Sequence, residues 1–171
     1  MELKDYIQSE LNGQKRSTGR VLKDLSQGEY GWRPACGCNS IGLILFHVAR
    51  SEDQFVQARI LGKPQIWEFE KWYEKMNMPQ AETGSHYTID LVNSFPCPDC
   101  KELGSYFEAV RARTVEYLSI LKPADFDKKI TVTPFPGETT IAAMFSLIVN
   151  HAAGHFGEMS YIRGIQRGMD K

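Results

Sequence analysis

The chain predicts an all-α fold, a four-helix bundle with a long crossover between its second and third helices. Four stretches of roughly twenty-odd residues carry apolar side chains at helical spacing. Capping residues and breakers bound most of them. The segment between the second and third, residues 62–96, is too long for a hairpin connection, which suits a crossover that leaves those two helices parallel.

The first stretch, about 2–26, has Leu3, Tyr6, Ile7, Leu11, Val21, Leu22 and Leu25 in helical phase with a polar middle, and Gly28, Gly31 and Pro34 end it. A loop, Arg33-Pro-Ala-Cys-Gly-Cys-Asn-Ser, leads to the second helix, where Asn39 or Ser40 fits the N-cap. That helix runs to about Leu61, with Ile41, Ile44, Leu45, Val48, Phe55 and Val56 on its stripe, and Gly62 and Pro64 stop it. The link 62–96 is rich in aromatics, with short helices expected near 65–76 and 88–94; it reads either as packing over the bundle or as a lid on a pocket. A third helix spans about Pro98 to Leu121, with Pro98 expected in its first turn and Lys122-Pro123 after it. Residues 127–137 read as extended, with room for a short strand. The fourth helix starts after Glu138-Thr139-Thr140 and runs to Gly164 or Arg167.

The chain has 171 residues, which suits a single domain, 1–171, with its own core. Its hydrophobic content of 42% and charged content of 24% are those of a soluble globular protein. The net charge is −1 and no basic stripe stands out, so neither nucleic acid nor a membrane is an expected partner. The charged N-terminus has no signal-peptide core, and the expected location is cytoplasmic.

His151-Ala-Ala-Gly-His155 carries the chemistry. Two histidines at i and i+4 project from one helical face and can share one metal ion. His47 lies on the apolar stripe of the second helix. It sits roughly 11 Å from that helix's start, and His155 roughly 14 Å from the end of the fourth, so antiparallel packing brings all three to one level. The residues allow two readings: a three-histidine metal site with an open position, or three separately hydrogen-bonded imidazoles. Ala152 follows His151, which excludes the HExxH pattern of zinc proteases. No glutamate stands three residues before His47, His151 or His155, which excludes the di-iron pattern. Glu158 is placed to orient His155 or to sit in solvent. His86 reads as an exposed loop residue.

Cys36-Gly-Cys38 and Cys97-Pro-Asp-Cys100 lie at one end of a bundle whose middle helices are parallel. Ordinary free thiols are the first reading, a structural four-cysteine zinc site the second and a redox CxxC pair the third.

The chain resembles the DinB-like (YfiT-like) superfamily of metalloenzymes over nearly its whole length. The resemblance rests on Trp32-Arg-Pro-Ala, Asn39-Ser-Ile-Gly and His47-Val-Ala-Arg-Ser-Glu; on Tyr106-Phe-Glu-Ala-Val-Arg-Ala-Arg-Thr-Val-Glu-Tyr-Leu; and on Asn150-His-Ala-Ala-Gly-His-Phe-Gly-Glu-Met-Ser-Tyr-Ile-Arg-Gly. It implies the crossover bundle, a divalent metal held by His47, His151 and His155, and a homodimer. Related branches transfer low-molecular-weight thiols such as bacillithiol, mycothiol or glutathione. The cysteine pairs depart from that pattern. The resulting expectation is a zinc- or nickel-dependent enzyme that transfers such a thiol to an electrophilic small molecule. The alternatives are a metal-dependent hydrolase or a non-catalytic metal- or small-molecule-binding stress-response module. The residues name neither the substrate nor a catalytic side chain.

Overall fold

The computed structural model describes residues 1–132 and 137–168. Four long helices make the bundle: α1 Leu3–Leu22, α3 Ile41–Asp53, α7 Cys100–Ile120 and α8 Ile141–Arg167. Four short ones decorate it: α2 Gln27–Gly31, α4 Ile66–Phe69, α5 Trp72–Lys75 and α6 Ile89–Ser94. The predicted all-α class holds; the described strands are the antiparallel pair β1 Lys129–Thr131 and β2 Glu138–Thr140. Part of the extended segment expected at 127–137 lies at 133–136, outside the described residues.

Local chemistry sets the helix starts. The first N–H groups of a helix lack intrahelical acceptors, so a side-chain oxygen at the N-cap stabilises the end by about 1 kcal/mol. Ser40 Oγ accepts from Leu43 N at 3.1 Å and Thr140 Oγ1 from Ala143 N at 3.1 Å. At α7, Asp99 is the cap and accepts from Lys101 N and Glu102 N at 2.9 and 3.2 Å. Pro98 therefore precedes the helix and is not in its first turn. The first stretch forms one helix, which stops at Leu22; Asp24 takes φ 58°, and Ser26 with Glu29 builds a capping box that starts a further short helix, α2, where the sequence suggested only an ending.

The second long helix changes character along its length. It is α-helical to Asp53 and π-helical over Gln54–Ile60, with Leu61 N donating to Val56 O at 3.0 Å. Side-chain periodicity does not reveal that wider turn, which is why a continuous helix was expected.

The pairing of the helices follows from named contacts. Lys15 meets Glu108 and Lys4 reaches Leu121 O, so α1 and α7 are antiparallel. Gly42 abuts Cys97, next to the start of α7, while Glu52 bonds Arg111, so α3 and α7 are parallel. Gln14 bonds Val149 O and Arg163 bonds Val21 O, so α1 and α8 are parallel. The link between α3 and α7 thus runs the length of the bundle, the expected crossover.

Every residue of α3 is buried except His47, which is half-buried. Leu45, Phe46, Trp67, Leu103 and Tyr106 fill one part of the core, and Leu11, Phe55, Leu118, Phe145 and Ile148 another. Each such side chain stabilises by about 1.5–3 kcal/mol when fully buried. Met76, Met78, Met144 and Met159 are core residues. No helix among the described residues is long and apolar enough to cross a membrane.

Candidate metal centre

α3 and α8 cross with His47 opposite His151 and His155. His47 Nε2 lies 2.9 Å from His151 Nε2. The ring centroids are 4.9 Å apart for His47 and His151, 4.7 Å for His47 and His155, and 4.6 Å for His151 and His155. One nitrogen from each ring lies within 4.8 Å of the others. The three histidines singled out in the sequence therefore converge.

The outer nitrogens of His47 and His155 are held. His47 Nδ1 lies 2.6 Å from the Gly84 carbonyl. A carbonyl oxygen only accepts, so the neutral ring carries its proton on Nδ1 and turns a bare Nε2 toward His151. His155 Nδ1 lies 3.2 Å from Glu158 Oε2, which fixes the same tautomer when the carboxylate is ionised. Glu158 thus touches its ligand candidate, although its own side chain is 52% exposed.

Burial is the main cause that holds His47 below its ordinary pKa, and positive charge on His155 would add to it. Burial first, then His47 and His155, lower His151 to about 4. Both rings are neutral near pH 7, the form that binds metals. In the metal-free protein His151 Nε2–H can donate to the bare His47 Nε2 at 2.9 Å; in its other tautomer His151 turns a second lone pair to the same point. The donor set therefore fits a divalent transition metal that accepts imidazole. Phe55 presents its ring to His151 nearly edge-on, at 6.1 Å and 88°, giving the cluster an apolar wall. His155 is 25% exposed, so the cluster is reachable from solvent.

His86 is exposed, takes φ 62°, and is outside the ligand group. The cysteines do lie at one end: Cys36 Sγ accepts from Asn93 Nδ2 at 3.2 Å, close to Cys97 in sequence, and Cys97 sits beneath Gly42. They form no ligand group, because the only set of three or more converging ligand atoms among the described residues is the histidine cluster. All four are free of disulfides, and without converging sulfurs the four-cysteine zinc reading falls. Burial pushes the Cys97 thiol up to about 11, so its place just before a helix does not make it a reactive thiolate.

The aromatic link packs over the bundle, with Trp67 and Trp72 buried, and it also reaches the histidines through Gly84. Sequence reasoning missed that contact, since a backbone oxygen leaves no residue-type signal. The Gly84-Ser85 pair marks a turn and nothing more.

A helical bundle with three converging imidazoles on two facing helices is the class these observations define. A model of the DinB superfamily matches residues 10–159, and the chain belongs to that superfamily. The crystal structure of a conserved protein from Enterococcus faecalis has a similar fold, with a TM-score of 0.84 over 96% of this chain and 97% of that one at 20% identity. No curated protein matches the chain.

Proposed function

We propose that His47, His151 and His155 hold one divalent metal ion, zinc or nickel, and that the protein uses it to transfer a low-molecular-weight thiol to an electrophilic small molecule. The carrying observation is the convergence of three imidazoles within 4.8 Å, two of them with Nδ1 tied to an acceptor. Membership of the DinB superfamily, related branches of which transfer low-molecular-weight thiols, supports the thiol as cosubstrate. A divalent ion there supplies positive charge that lowers the pKa of a thiol or water. The protein's own part is to keep three imidazoles aimed at one point, to leave the His155 side open to solvent, and to wall His151 with Phe55.

Elemental analysis of wild type and His151→Ala tests the metal, with about one ion per chain expected only in wild type. Equal content in both would sink the assignment. A panel of thiols against electrophiles tests the chemistry, with His47→Ala as the inactive control and cobalt absorption reporting sulfur coordination. Ester or amide hydrolysis without thiol would move the protein to the hydrolases, and bound metal without turnover to the binding modules. The likeness to the family also supports a homodimer, to be checked by light scattering at micromolar concentration; a monomeric mass contradicts it.

A further inference from the structure

The link between α3 and α7 does more than cover the bundle. Its stretch from Gln80 to Tyr87 is fastened at successive points to Trp67, Arg50 and His47. Trp67 Nε1 donates to Gln80 O at 2.9 Å. Arg50 Nε donates to Glu82 O at 3.2 Å. His47 Nδ1 donates to Gly84 O at 2.6 Å. His47 and Arg50 are three residues apart, hence on one face of α3, and they capture carbonyls two residues apart in the strap. The strap is braced from within as well. Glu82 Oε1 accepts from Gly84 N at 2.9 Å and from the Tyr87 hydroxyl at 2.8 Å.

Gly84 meets two demands that other residues fail. It takes φ +72°, which L side chains rarely adopt. A Cβ built on it would fall 2.9 Å from Arg50 Cβ and 3.0 Å from Arg50 Cγ. The carbonyl can approach His47 only because the strap lies flat against α3 at this point. Ser85 Oγ is the other polar atom near His47 Nδ1, at a longer 3.5 Å.

We infer that the Glu82–Gly84 strap is the positioning element of the histidine cluster: the Gly84 carbonyl, held by the Glu82 carboxylate, fixes the tautomer and ring angle of His47. Glu82 acts through Gly84 and touches no reacting atom. The inference deepens the metal reading and rests on it for its effect on affinity, but the tautomer itself is a property of the metal-free protein. Outer hydrogen bonds of this kind typically change metal affinity by roughly 10- to 100-fold.

Nitrogen-15 NMR of histidine-labelled, metal-free protein reads the tautomer directly, with His47 assigned from its Gln variant. In wild type His47 carries its proton on Nδ1 alone. In Glu82→Ala the two tautomers mix, and zinc affinity by competition calorimetry falls roughly 10- to 100-fold. Glu82→Gln keeps a carbonyl oxygen for the same two donors and restores both readouts. Gly84→Ala repeats the Glu82→Ala result from the other side of the contact. A single Nδ1–H tautomer in Glu82→Ala overturns the inference, as does a mixed tautomer with unchanged zinc affinity. Wild type that binds no zinc yet loses its tautomer in Glu82→Ala would defeat the metal reading and leave the orienting role standing.

Discussion

Two polar clusters lie side by side on α3, and they are finished in opposite ways. Asp53 is buried, and each of its oxygens has partners: Oδ1 accepts from Ile66 N at 3.1 Å, and Oδ2 from Trp67 N at 3.0 Å and the Tyr106 hydroxyl at 2.8 Å. Arg50 stands 3.5 Å from it and bonds Gln65, Tyr106 and the Glu82 carbonyl. Buried charge is tolerated there because every exposed face of it is answered. The histidine cluster, two turns away, has the outer nitrogens of His47 and His155 answered and the inner ones converging. The first arrangement stabilises a fold; the second leaves donor capacity unspent. Polar groups in a core are therefore best sorted by which lone pairs remain, and not by burial.

Four experiments bear on that contrast. The largest effect belongs to the finished cluster. Asp53→Ala leaves Arg50 without its countercharge and three donors without acceptors, and should destabilise the protein by about 3–5 kcal/mol in urea unfolding. A loss under about 1 kcal/mol would mean that the network is incidental.

In the histidine cluster, zinc at a hundredfold excess over its Kd should stabilise wild type by about 2.7 kcal/mol and His151→Ala hardly at all. Calorimetric scans with and without metal measure both. Similar zinc-dependent shifts in the two proteins would erase the distinction between the clusters.

Acid sharpens it further. The folded-state pKa of His151, about 4, lies below the ordinary 6.5, and His47 is lowered too. The unfolded chain therefore takes up protons first as the pH falls. The stability contributed by neutral rings is present above about pH 6.5 and is lost progressively toward pH 4. Metal-free wild type should show this slope in denaturant midpoint against pH, and His151→Gln a shallower one. Parallel slopes would place the titration elsewhere.

The smallest effect is at the solvent edge. Glu158→Gln should weaken zinc binding by about tenfold, the low end for an outer hydrogen bond, because the carboxylate is half in water. A change as large as that of His151→Ala would make Glu158 a ligand in its own right.

Much of this was legible in the residues because it is local. A cap at Asn39 or Ser40, a helix start just after Thr140, Lys122-Pro123 as a stop and His151 with His155 one turn apart are all decided within a few positions. The level of His47 followed from rise per residue together with antiparallel packing of the second and fourth helices. What stayed hidden depends on distant partners or on the main chain. The carboxylate of Asp53 finds its acceptor role thirteen residues on at Ile66 and fifty-three on at Tyr106. The π-helical turn leaves the apolar spacing of Phe55 and Val56 intact. Asp99 displaced Pro98 as the marker of a helix start because a side-chain acceptor for two N–H groups outweighs a missing N–H. The cysteine pairs were placed at the correct end, yet proximity in topology is not convergence within a coordination sphere.

The parallel course of α3 and α7 has an architectural consequence. A hairpin would have turned at one tip of the bundle and never passed the level of His47. A connection obliged to travel the full length must run along a flank, and here it runs along the flank that holds the histidines. The division of labour is then built into the wiring: rigid rods carry the imidazoles, while an insertable, rewritable stretch of chain sets how one of them is aimed. Such a layout lets the trim of the site drift or be redesigned without disturbing the timbers.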